Sequence, residues 1–143
     1  MNLVYINSAN GLSKAALETV TYAKKLGADV AVVTNGGADA SVLASLGNYG
    51  ASVVLQDATL DGQDPGQLVK LVAAAAHKVG ATTIIFSHDL IGKAVAPRLS
   101  VRLQAGLVAG AVALPEANGN VKVNVFSGKA FGYVKVNSAT RII

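Results

Sequence analysis

The stretch GQLVKLVAAAAHKVGATTIIF, residues 66–86, decides the fold. Leu68, Leu71, Val72, Ala75 and Val79 recur at helical spacing, and the Ala73–Ala76 run favours helix and close packing. Gly80 stops the helix. Thr82–Phe86 then runs continuously apolar and β-branched, the pattern of a strand covered on both faces of a parallel sheet. A helix leading directly into such a strand is half of a βαβ unit.

Upstream the unit repeats. Asn2–Ile6 reads as a strand, Asn7–Gly11 as a polar turn, and the next stretch as a helix with Leu17, Val20 and Ala23 on one face. Ser13 is placed to cap that helix, and Lys24, Lys25 and Gly27 supply its cationic last turn and its stop. Asp29–Thr34 follows as strand, Asp39–Leu46 as a short helix and Ala51–Gln56 as strand. The alternation predicts an α/β, Rossmann-like, doubly wound, mainly parallel sheet in the strand order 3-2-1-4-5.

Downstream the period changes. Pro97 predicts a helix that starts near it, with the residues before it in a loop. Leu107–Leu114 reads as a strand and Pro115–Asn120 as a turn, after which Val121, Val123 and Val125 alternate with Lys122 and Asn124. Ser127-Gly128-Lys129 turns the chain into Ala130–Asn137, an antiparallel hairpin expected to join the parallel sheet. Arg141-Ile142-Ile143 reads as an interrupted strand or a domain edge.

Composition narrows the chemistry. With 143 residues, 52 % apolar and 14 % charged, the chain suits one domain with one core, and disorder is excluded. Its mean hydropathy of +0.47 suggests apolar surface that meets a partner. The absence of cysteine removes disulfides, a thiolate nucleophile and thiolate-ligated metal, and two histidines argue against any metal site. No apolar run reaches the ~20 residues of a membrane span, so a cytoplasmic protein is expected. Residues 1–72 carry a net charge of −2 and residues 73–143 one of +6. With no basic run and seven aromatics, nucleic acid is not the expected partner; an acidic protein surface or a phosphate-bearing ligand suits the charge.

Motifs for chemistry are sparse. The turn after the first strand holds only Gly11, short of the G-x-G-x-x-G that cradles a pyrophosphate, and Asn35-Gly36-Gly37 suits a tight turn. Gly92-Lys93 lacks the rest of a P-loop. Ser87-His88-Asp89 sits where open α/β sheets bind ligands, but adjacent residues in extended backbone point to alternate sides. That spacing favours Asp89 as a helix cap, ahead of a remnant nucleotide site at the strand edge, over a hydrolase triad built on Ser87 or His88. Arg98 and Arg102, four residues apart, share a helix face, either solvated or docking carboxylates. His77 suits a last-turn dipole partner.

Residues 92–110, GKAVAPRLSVRLQAGLVAG, resemble the Gly-Lys-Asp-Leu-x-Pro-Arg-Leu-Ala-x-Arg-Leu-x-x-Gly-Leu segment of the electron-transfer flavoprotein alpha subunit. AALETVTYAKKLGADVAVV at 15–33, LGNYGASVVLQD at 46–57 and SGKAFGYVKV at 127–136 resemble that family in the same order. The family's Asp after Gly-Lys is Ala94 here, and its approach to that loop is replaced by Ser87-His88-Asp89. The likeness spans residues 1–143 as a single N-terminal domain, of adenine nucleotide alpha hydrolase-like fold, without the C-terminal domain of that subunit.

The resemblance implies a scaffold that docks against a beta subunit in a heterodimer. It also implies an electron carrier that takes electrons from dehydrogenases through FAD, the FAD lying mainly in the C-terminal domain. No cofactor is expected in this chain alone, and no catalytic residue is carried over. His88, Asp89, Gly92, Lys93, Arg98 and Arg102 are the candidate docking or loop residues. The alternative is a free-standing nucleotide-binding regulatory module of the same fold.

Overall fold

The chain begins with β1 (Asn2–Asn7), α1 (Lys14–Lys25), β2 (Val30–Asn35), α2 (Ala40–Ala44) and β3 (Ala51–Asp57), in a computed structural model that describes residues 1–60, 62 and 64–143. It continues with α3 (Pro65–Val79), β4 (Thr83–Ile85), α4 (Leu90–Leu103), β5 (Gly106–Leu107), β6 (Asn120–Val125), β7 (Ala130–Lys135) and β8 (Arg141–Ile142). Each long helix starts where a side chain takes up a free backbone N–H. Ser13 Oγ accepts from Ala16 N at 3.1 Å, and Asp64 Oδ2 accepts from Gln67 N at 2.9 Å. Gly80 ends α3 in the left-handed conformation at φ 62° and returns its N–H to the last carbonyls.

The main sheet is parallel throughout, in the order β3-β2-β1-β4-β8-β5. Alternate residues of each strand serve opposite layers. Val4, Ile6, Val30, Val32 and Ile85 pack on α1 and the α2 region through Val20, Ala23, Leu43 and Leu46. Leu3, Tyr5, Ala31, Val33 and Ile84 pack on α3 and α4 through Leu68, Val72, Val95 and Leu99. Both faces are covered, so the sheet is doubly wound, as the sequence predicts.

Four local expectations are corrected. Position five of the sheet belongs to β8, which returns after the hairpin to lie between β4 and β5; Ile142 is fully buried there. The Leu107–Leu114 strand shrinks to β5, because Gly110 turns the backbone at φ 74° and only a bridge from Ala111 to Val123 follows. The hairpin β6–β7 forms its own two-stranded sheet, seated on Val108 through Val121 and Val123. Finally, α4 starts at Leu90 and carries Pro97 inside it. Pro97 lies on the exposed side, so the carbonyl it leaves unbonded, that of Lys93, belongs to another exposed residue and can be solvated.

The short helix expected at Asp39–Leu46 is α2 followed by a 3-10 turn at Ser45–Tyr49, which ends on Gly50 at φ 108°.

Candidate functional site

A cleft of about 340 Å³ opens at the carboxyl end of β4, bounded by α1, α4 and residues 107–111. It lies over the carboxyl ends of β4, β8 and β5, the end of an open α/β sheet at which ligands bind. Its floor is apolar, formed by Ile85, Phe86, Ala96, Val108 and Ile143. Thr19, Tyr22, Glu18, His88 and Lys93 supply the polar groups around it.

The turn from β4 into α4 is built around Asp89. Its Oδ1 accepts from Gly92 N at 2.8 Å, capping α4, and its Oδ2 accepts from the Ser87 hydroxyl. Ser87 and Asp89 therefore share one side of the turn, and the Ser87 hydroxyl is committed to the cap and not to an imidazole. His88 faces the cleft: a Cβ built on Gly110 would lie 3.9 Å from its Cε1 and Nε2. Gly92 is fixed by space, since a Cβ there would lie 2.1 Å from the Ser87 carbonyl oxygen.

Two tyrosines tie the surroundings together. The Tyr22 hydroxyl donates to the Ala113 carbonyl at 3.0 Å and holds the 108–114 segment against α1; burial pushes its pKa up, against the pull of Arg141. The Tyr5 hydroxyl donates to Asn35 Oδ1 at 3.0 Å, and its pKa is pushed up to about 12, by burial first and the Asp89 carboxylate second. Asn35 Nδ2 in turn donates to the Leu60 and Gly62 carbonyls. The Gly36-Gly37 segment beyond β2 is a turn, with Gly36 at φ 82° and its carbonyl taken by Gln56 Nε2 at 2.7 Å.

Of the six residues singled out in the sequence, the structure brings His88, Gly92 and Lys93 into the cleft wall and gives Asp89 to the cap. Arg98 and Arg102 lie elsewhere on α4, both exposed, with an Arg98 guanidinium nitrogen donating to the Ala94 carbonyl one turn back. The sequence reading missed Thr19, Tyr22 and the 107–111 wall. The signal for that wall was the small-residue run Ala105–Ala113, which packs closely and turns at Gly110.

Among the described residues, no group of His, Asp and Glu is placed to hold a metal ion, and no helix is long and apolar enough to cross a membrane. The residues after β1 do not fit the pyrophosphate of a dinucleotide such as FAD: the turn folds back through Gly11 N to the Ser8 carbonyl and forms no glycine cradle.

Sheet, crossovers and cleft define an open, doubly wound α/β domain of Rossmann-like architecture. The electron transfer flavoprotein domain model matches residues 2–143, so the chain belongs to that family. The electron transfer flavoprotein subunit alpha of Syntrophomonas wolfei is 26 % identical over 138 residues, covering 93 % of this chain and 44 % of that protein. The subunit alpha of Bacillus subtilis is 32 % identical over 95 residues, covering 64 % of this chain and 29 % of that protein. The chain thus spans less than half the length of the curated relatives it matches. A Sinorhizobium meliloti structure described as a short-chain dehydrogenase/reductase aligns at TM-score 0.43 and 17 % identity, over 78 % of this chain and 62 % of that one.

Proposed function

We propose that this chain is the N-terminal scaffold domain of an electron-transfer flavoprotein alpha subunit, docking a beta subunit and holding no FAD of its own. The observation that carries this reading is the coverage: nearly the whole chain aligns to less than half of an alpha subunit. The flavin, its electron transfer and the dehydrogenase donors belong on this reading to the complete heterodimer, and the domain alone is not an enzyme. Its exposed cations fit a docking role, because complementary charge orients association. Lys93, Arg98 and Arg102 on α4 and Lys129 and Lys135 of the hairpin are exposed, and Lys122 lies over the Phe131 ring.

The test is association. The chain is mixed with the beta subunit of the same source organism and followed by light scattering after size exclusion. A one-to-one complex, turning yellow with FAD only when the rest of the alpha subunit is supplied, is expected. A chain that stays monomeric beside the beta subunit overturns the reading.

The cleft favours a second reading, a nucleotide-binding regulatory module, since His88 and Lys93 stand over an apolar floor at the carboxyl end of β4. Calorimetry with AMP and ATP decides it: affinity of millimolar or weaker for both removes it.

A further inference from the structure

Helix α4 is apolar on two opposite sides. Gly92, Val95, Ala96 and Leu99 face the core and are buried. Leu90, Ala94, Pro97 and Val101 recur at i, i+4, i+7 and i+11 and form a second stripe on the outer side. Leu90 is 86 % and Val101 81 % exposed, more than any other large apolar side chain among the described residues. At 100° per residue, Arg98 and Arg102 flank the stripe on one side and Lys93 on the other. The ion pair found among the described residues, Lys14–Glu18, is on α1, so it engages none of these cations.

The surroundings are also basic. Residues 65–103 carry five Lys and Arg and one acid, Asp89, whose carboxylate is occupied by Ser87 and Gly92. Neighbouring α3 contributes exposed Lys70 and Lys78. A second copy of the chain does not suit this face, because a two-fold pairing would set cations against cations. The stripe is a narrow ridge, about 16 Å long at 1.5 Å per residue, the shape that a single helix covers when it packs alongside.

We infer that the outer face of α4 docks an acidic amphipathic helix of the beta subunit, its apolar ridge on Leu90, Pro97 and Val101 and its carboxylates against Lys93 and Arg102. The inference rests on the proposed scaffold role and specifies the partner surface. Arg98 is left out of the test because its guanidinium already satisfies the Ala94 carbonyl beside Pro97.

Titration calorimetry of the chain with the beta subunit, at low and at physiological salt, tests it. Two double variants are compared with wild type, Lys93→Glu with Arg102→Glu, and Leu90→Ser with Val101→Ser. All four positions except Lys93 lie outside the cleft, and a Lys93→Glu single variant isolates that side chain. Circular dichroism melts check that each variant folds.

The charge pair is expected to weaken binding at least 30-fold and to flatten its salt dependence, and the apolar pair to weaken it about tenfold with the salt dependence kept. Wild-type affinity in both folded double variants overturns the inference while leaving the scaffold reading standing. Failure of the wild-type chain to bind overturns both. Binding to phosphatidylserine vesicles, lost in the same variants, overturns the inference in favour of an anionic membrane surface.

Discussion

The carbonyl oxygen of Ser87 occupies the space that a side chain at position 92 would need, 2.1 Å from an ideal Cβ on Gly92. The contact sets how closely the first turn of α4 approaches the end of β4, and with it one wall of the cleft. Gly92→Ala must push backbone against backbone, which no rotamer change relieves. We expect a loss of at least about 2 kcal/mol in urea unfolding. Gly36 is the control: it has φ 82° but nothing within 4 Å of a Cβ, so Gly36→Ala carries only the left-handed penalty of about 1 kcal/mol. Equal losses at the two positions would mean that the first turn of α4 shifts to relieve the Ser87 contact, because Gly92 is helical and carries no left-handed penalty of its own.

Asp89 is expected to act mainly as a cap. Asp89→Ala leaves the Gly92 N–H and the Ser87 hydroxyl without their acceptor and should cost about 0.5–2 kcal/mol. Asp89→Asn keeps an acceptor and should recover most of it. Thermal melts of the two variants check this, and equal destabilisation would show that the negative charge at the helix N-terminus matters more than the hydrogen bond.

The gaps between sequence and structure have local causes. Strands β1, β2 and β4 were legible because a strand buried on both faces needs an apolar run such as Thr82–Phe86, and turns such as Gly27 and Gly80 punctuate it. The start of α4 was hidden because Pro97 usually marks a helix boundary. Here an exposed turn tolerates it. Arg141-Ile142-Ile143 was legible as an interrupted strand, but the place of β8 in the sheet was hidden, because two residues give no period and its partners, Thr83 and Gly106, lie far away in sequence. In the site, Asp89 was legible as a cap from the alternation of Ser87, His88 and Asp89 after the β4 strand, although the helix itself was expected only near Pro97. Tyr22 was not, because its hydroxyl reaches a carbonyl 91 residues later.

Tyr5 predicts a loss of stability in alkali. Its pKa is raised in the folded protein from 10.0 to about 12, so above pH 10 the unfolded chain releases this proton more readily than the folded one. The stabilisation is whole below pH 10 and lost as pH rises through 12, by up to roughly 3 kcal/mol for a two-unit shift. Tyr5→Phe should cost about 1 kcal/mol at neutral pH, through Asn35, yet remove this share of the alkaline slope. Urea midpoints of both proteins from pH 8 to 12 give the comparison; parallel curves would assign the slope to other groups.

Ile142 predicts how the far side of the sheet is held together. It is fully buried against the α4 layer, in a two-residue strand that joins β4 to β5. The bonds around it run outward on both sides: Ile143 N to the Ile84 carbonyl at 2.9 Å, Phe86 N to the Ile143 carbonyl at 3.0 Å and Val108 N to the Ile142 carbonyl at 2.8 Å. β5 reaches the sheet only through β8, so losing the Ile142 side chain should loosen both together. Ile142→Ala is expected to cost about 2–5 kcal/mol. Val101→Ala, at an 81 % exposed position, should stay within ~0.5 kcal/mol. Amide exchange distinguishes a local from a global effect: if the Phe86, Val108 and Ile143 amides lose protection together in Ile142→Ala while β1 and β2 keep theirs, this edge opens as a unit. Loss of protection in β1 and β2 to the same degree would mean that the six strands unfold as one.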